Sequence, residues 1–111
     1  MLIEKKPGEG DLIAIKLITG EEIVGRIAPN PAGSNENDLT LKSPVGWMLT
    51  QQGVMPAPIM VTAEDKATLT FVGSAIMCRT KPREEIGNAY ITITTGIQVP
   101  SSPLNGGFVK G

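Results

Sequence analysis

Residues 17–27, LITGEEIVGRI, hold two glycines in different settings, and the second restricts the whole fold. Gly20 lies between two β-rich runs, 12–18 (LIAIKLI) and 22–28 (EIVGRIA), where a tight hairpin needs a positive φ. Gly25 lies inside the second run. A glycine there loses backbone entropy and packs nothing. Because side chains alternate along a strand, Ile23, Gly25 and Ile27 share one face and Val24 and Arg26 the other. A strand that keeps a glycine in its apolar row bends sharply where a side chain would collide. The chain therefore reads as a strongly bent antiparallel sheet or small barrel.

The rest of the chain agrees with many short strands. Residues 29–37 (PNPAGSNEN) are a loop by composition, and 38–50 (DLTLKSPVGWMLT) a strand interrupted at Pro44 and Gly46. QQG is a turn. Residues 54–66 are extended, but Pro56 and Pro58 exclude a central strand. ATLTFV alternates, with Leu69 and Phe71 on one face, and AIMCRT follows a turn at 73–74 as the last core strand. Thirteen glycines and nine prolines in 111 residues fit strands and turns better than a helical bundle. Residues 1–10 read as an arm, 11–98 as one domain, and 99–111 as a tail.

The segment KPREEIGNAYITITTGIQVP supports two structures. As a helix, Pro82 suits the first position, Glu84 and Glu85 suit the N-terminal dipole, and Gly96 suits the end. Ile86, Tyr90, Ile93 and Ile97 then form one stripe. As a strand, AYITITT alternates and is rich in β-branched residues.

The composition restricts the chemistry. There is no histidine and one cysteine, Cys78. Zinc sites, Ser-His-Asp triads and Cys-His pairs are thereby excluded within one chain, and so is an internal disulfide. A single cysteine and an N-terminus without an apolar signal core suit a reducing, cytoplasmic setting. No apolar run of about 18 residues predicts a membrane span. Glu21–Glu22, Glu64–Asp65 and Glu84–Glu85 are adjacent pairs, which point to opposite faces of a strand and read as solvated turns or a helix start. No phosphate-cradling glycine loop is present. Nothing supports an enzyme, a metal or a cofactor. The net charge of −1 supplies no overall field for nucleic acid.

The spacing Leu17, Gly20, Ile23, Gly25, Ile27 resembles the first signature of the Sm/LSm superfamily, L-x-x-G-x-x-h-x-G-x-h with h apolar. Phe71, Val72, Gly73, Ile76 and Pro82 resemble the second. The likeness covers residues 11–82 with a stretched middle, and the layout is similar to Sm-like proteins of marine tailed phages. It implies an all-β fold, a strongly bent five-stranded antiparallel barrel, here with one C-terminal helix at about 82–95. It also implies a homo-oligomeric ring of about five to seven subunits, closed by pairing of strand edges. Such rings commonly bind single-stranded RNA at the pore.

The family's uridine pocket does not carry over. Its asparagine falls on Asp38 and its arginine on Val72, leaving Gly73. Glu36 neighbours the position that often stacks a base. A carboxylate for an amide and an apolar group for a guanidinium repel phosphate. Residues 51–65 exceed the usual loop, and 1–10 hold no counterpart of the family's N-terminal helix.

The candidate nucleic-acid contacts are Arg79, Lys81 and Arg83, the densest basic cluster, beside Gly73. Their competing reading is solvated surface paired with Glu84 or Glu85. Trp47 reads as core, interface or stacking platform, and Tyr90 as packing. Met48, Met55, Met60 and Met77 read as gap-filling core, and Cys78 as buried and inert. The leading expectation is an Sm-like ring that binds RNA or DNA. The alternative is a ring-shaped scaffold for protein partners.

Overall fold

The computed structural model describes residues 7–64 and 66–96. Six strands and one helix follow in order: β1 (Leu12–Leu17), β2 (Glu22–Ala28), β3 (Leu39–Thr50), β4 (Gly53–Ala57), β5 (Thr68–Phe71), β6 (Ile76–Thr80) and α1 (Glu84–Thr95). All ladders are antiparallel, in the order β4-β3-β2-β1-β6, with β5 also on β3. The fold is all-β with a single C-terminal helix, as expected. The N-terminal and C-terminal segments expected as arm and tail fall largely outside the described residues. Residues 8–10, placed in the arm, form with Asp11 a turn tied to β2: the Gly10 N–H donates to the Ile27 carbonyl at 2.8 Å.

The sheet turns at Gly25. From Val24↔Val45 to Arg26↔Lys42 the ladder shifts register, so Ser43 and Pro44 together face one glycine. That is a β-bulge, and it explains how Pro44 sits inside a continuous twelve-residue strand. Ser43 takes a positive φ of 52°, and its N–H donates to the Ala67 carbonyl at 3.0 Å. A Cβ on Gly25 would lie 2.9 Å from Leu41 Cβ and 3.3 Å from Pro44 Cα. Gly20, by contrast, meets nothing; its φ of 105° closes the β1–β2 hairpin.

Six strands stand where five were expected because the return strand along β3 is broken. From Gly46↔Ala57 to Lys42↔Thr68, β3 moves back four residues while its partner moves on eleven. Residues 58–67 leave the ladder, and the chain rejoins β3 as β5. Pro56 lies in β4, an edge strand that needs no second partner.

Two apolar layers result. Ile13, Ile15, Ile23, Leu39 and Leu41 fill the inside of the bend, with Phe71 and Ile76 packed against them. Val24 and Trp47 lie on the outer face, under Ile86, Ala89 and Tyr90 of α1. The strand-like ITITT is thus helical because the outer face of the sheet needs a cover. Its threonines are accommodated by back-bonding: Thr94 Oγ1 donates to the Tyr90 carbonyl at 2.9 Å and Thr95 Oγ1 to that of Ile91 at 2.6 Å. Glu84 and Glu85 occupy the first turn, and Gly96 ends the helix at φ 79°.

Three expectations change. Ile93 is not on the buried stripe but 42% exposed. Met48, Met60 and Met77 are about half exposed rather than core, and Cys78 is exposed rather than buried. β6, which carries Met77 and Cys78, is paired with β1 on one side only, and Met60 lies between β4 and β5, outside the ladder.

Tyr90 joins α1 to the bend. It is 1% exposed, and its hydroxyl donates to the Lys42 carbonyl at 2.9 Å. Burial raises its pKa, opposed by the charge of Arg26. The fold therefore favours the neutral phenol. That stabilisation is complete below the ordinary tyrosine pKa of about 10 and is lost as pH rises through the higher folded value. Tyr90→Phe is expected to cost about 1–2 kcal/mol at neutral pH and to flatten the fall in stability above about pH 10. Urea titrations of both proteins at pH 7 and pH 10.5 (about one half-unit above the ordinary value) check this.

Candidate nucleic-acid interface

The 29–38 loop folds back on the turn after β5, and its own polar groups hold it there. The Asn30 side-chain amide donates to the Asp38 carbonyl at 2.9 Å, and Thr40 Oγ1 donates to Asn30 Oδ1 at 2.6 Å. Thr70 Oγ1, facing Thr40 across the β3–β5 ladder, completes the chain at 2.8 Å from Thr40 Oγ1. Thr40 is buried while Asn30 and Thr70 are exposed, so the network satisfies the buried hydroxyl from the surface of the sheet. The sequence signal for it was the pair of alternating threonines in LTL and TLT. It becomes legible only when the register sets them opposite each other.

Asp38 and Gly73, carried over from the two signatures, do meet. The Gly73 N–H donates to Asp38 Oδ1 at 2.9 Å, and the Asn35 N–H donates to Asp38 Oδ2 at 3.1 Å. Both carboxylate oxygens are thus engaged by main-chain donors. A Cβ on Gly73 would lie 2.7 Å from Asn37 Cβ and 2.8 Å from its carbonyl oxygen, so the glycine is required by close approach. Arg79 reaches the same loop, its guanidinium donating to the Asn37 carbonyl. Val72 stands beside them, 54% exposed.

This geometry accounts for an aspartate at position 38. An asparagine offers one acceptor oxygen and would turn its NH2 toward one of two N–H donors. Asp38→Asn is expected to cost about 1–3 kcal/mol, the penalty of an unmatched donor and a lost charge-assisted bond. Thermal unfolding at pH 7 measures it; an unchanged midpoint would remove the clamp from the account.

The basic cluster divides. Arg79 pairs with Ile15 and shares its face of the sheet. Lys81 and Arg83 follow the end of β6 and line a recess of about 210 Å³ with Glu22, Trp47 and Ile86, under the start of α1. All three cations are exposed. The recess is electrostatically mixed, since Glu22 lies in it and also pairs with Lys16 at 3.9 Å. Trp47 lies at its floor, 9% exposed, and offers no open stacking face.

The sheet has two unpaired borders. Among the described residues no ladder joins β5 to β6, so β6 is free on one side and β4 and β5 on the other. Val72 beside β5 and Met77 on β6 are exposed apolar side chains at these borders. The described residues include no helix long and apolar enough to cross a membrane. No family model matches the chain, and no curated protein matches it.

Proposed function

We propose that this protein is an Sm-like module that assembles into a homo-oligomeric ring and binds single-stranded nucleic acid, RNA first, without catalysis or a cofactor. The observation that carries it is the pair of free borders. β5 holds no charged residue and β6 only Arg79, so neither is protected as exposed edges usually are. Pairing β6 of one subunit with the β4–β5 border of the next uses both, and a closed ring limits itself where an open stack would not. About five to seven subunits close it, by resemblance to Sm rings.

Binding then rests on repetition. Lys81 and Arg83 supply few charges in one chain, but a strand crossing several subunits meets many together. Arg79 is held to the loop carbonyl of Asn37 and contributes charge from a fixed position. With Asp38 engaged by the main chain and Val72 in the arginine's place, affinity comes from phosphate contacts and base preference is weak. A labelled single-stranded RNA 15-mer followed by fluorescence anisotropy should bind about tenfold or more weakly at about 200 mM than at about 50 mM salt. Replacing Arg79, Lys81 and Arg83 together with glutamate should abolish binding and leave the ring mass unchanged. Lys81→Glu with Arg83→Glu should account for most of the loss.

A second reading, a ring that scaffolds protein partners, is favoured by one observation: Glu22 sits among the cations of the recess in a chain of net charge −1. An intact ring without RNA binding at about 50 mM salt would select it.

A further inference from the structure

The recess beneath the start of α1 lies on the outer face of the sheet, and its lining divides by chemistry. The floor is apolar, with Val24 and Trp47 below and Ile86 of α1 beside them. At one side stands Glu22, which pairs with Trp47 across the β2–β3 ladder and so shares its face. At the other side Thr80, Lys81 and Arg83 carry the chain from β6 into α1. Arg79 takes no part, because it pairs with Ile15 and lies on the opposite face. None of the carried-over pocket positions, Asp38, Val72 and Gly73, lines this recess.

Size and charge together restrict the occupant. The recess holds about 210 Å³. That is below the roughly 300 Å³ at which sites enclose a drug-sized ligand, and it suits one planar base or one side chain. A basic side chain would meet Lys81 and Arg83, and an acidic one Glu22. A ligand that is anionic at one end and a hydrogen-bond donor at the other satisfies both sides, and a nucleotide within a single strand is such a ligand. The spacing agrees. β1 separates β2 from β6, so the two sides stand about 10 Å apart, comparable with the separation of a purine's pairing edge from its own phosphate.

Glu22 then selects the base. An ionised carboxylate only accepts hydrogen bonds. Glu22 Oε2 is 3.9 Å from Lys16 Nζ, beyond hydrogen-bond length, and the side chain is 66% exposed, so both oxygens are open to a ligand. Among the RNA bases only guanine carries two adjacent donors on one edge, N1–H and N2–H, which match a carboxylate bidentately. Uracil has a single donor, N3–H, between two carbonyl oxygens that a carboxylate repels.

We propose that this recess takes one guanine base per subunit, with N1–H and N2–H donating to Glu22, the rings over the apolar floor, and the phosphate at Lys81 and Arg83. This preference rests on the nucleic-acid-binding reading. It is small in each subunit, because Glu22 is well exposed, and it repeats around the ring.

The test compares labelled RNA 15-mers of GUU repeats, of IUU repeats (inosine lacks the N2 amino group) and of uridine alone. Fluorescence anisotropy is read at about 50 mM lithium chloride, which does not support guanine quadruplexes. The GUU 15-mer should bind at least about fivefold more tightly than the uridine 15-mer, and the IUU 15-mer at least about twofold more weakly than the GUU one. Glu22→Gln removes a negative charge and an acceptor, so it should tighten binding of the uridine 15-mer while reducing the GUU preference to less than about twofold. Trp47 is the only tryptophan, so its indole NMR signal isolates the recess without the ring. Guanosine monophosphate at millimolar concentration should shift that signal, and uridine monophosphate should not. Equal affinity for the GUU and uridine 15-mers overturns the guanine site and leaves nucleic-acid binding standing, and so does a GUU preference that survives Glu22→Gln. Binding of no RNA overturns the nucleic-acid reading, and a Trp47 signal unmoved by guanosine monophosphate then overturns the guanine site as well.

Discussion

Gly25→Val is expected to lower the stability of the folded chain by about 3 kcal/mol, the upper end for overpacking a filled core. The larger part of the cost is Leu41, whose Cβ would lie 2.9 Å from the new Cβ and which is fully buried with no room to withdraw. Pro44 Cα at 3.3 Å adds to it, because it belongs to the bulge that bends β3 and yields less readily than a side chain. The backbone there is already committed to a positive φ at Ser43. Retreat of β3 would also break the Tyr90 bond to Lys42 on the next residue along. Urea unfolding should show a midpoint lower by about 1–2 M for a small domain of this kind. Ile27→Val, a change on the same face of the same strand, should cost only about 1 kcal/mol. Near-equal effects of the two substitutions would mean that the sheet does not bend at Gly25.

That glycine also marks how far the sequence could be read. Its cost in a strand, together with the alternation of Ile23 and Ile27, points to a bend from the sequence alone. The hairpin at Gly20 and the strands 39–50, 68–71 and 76–80 were legible for the same reason, a period of two between turn residues. The helix was not decided by its own residues, since AYITITT alternates as well as it spirals. Its state depends on an outer sheet face, Val24 and Trp47, that exists only after β1, β2 and β3 have paired. The exposure of Met77 and Cys78 was illegible for the converse reason, because it depends on β6 being left as an edge strand by the pairing of the rest of the sheet.

The site shows the same division. Spacing brought Asp38 and Gly73 to the same place from 35 positions apart. It carried no information about what the carboxylate does there, since that depends on two main-chain N–H groups converging on it. The basic cluster looked continuous because Arg79, Lys81 and Arg83 are spaced by two. β6 ends at Thr80, so the alternation ends there, and Lys81 and Arg83 turn with the chain toward α1.

The second large effect concerns assembly. Met77→Lys is expected to convert the proposed ring to single chains of 11.7 kDa while leaving the far-ultraviolet circular dichroism unchanged. Met77 is 57% exposed in the isolated chain, so a lysine there costs the fold little. In the ring it would lie at the border where β6 meets its neighbour, and a lysine on an edge strand opposes edge-to-edge pairing. A proline at Leu69 should have the same effect on assembly from the opposite border, by distorting β5. Light scattering at micromolar protein reads both. A variant that keeps its full assembly with native dichroism would mean that subunits associate through another surface, such as the exposed Met48 and Leu49.

Native mass spectrometry of the full chain with a single-stranded RNA 15-mer at low salt tests the central claim most directly, because one spectrum reads both assembly and binding. The account predicts a single closed species of about five to seven subunits, carrying RNA that is lost as ionic strength rises. A monomer, or a series of oligomers without a preferred size, would contradict the ring, and a closed ring that carries no RNA would contradict nucleic-acid binding.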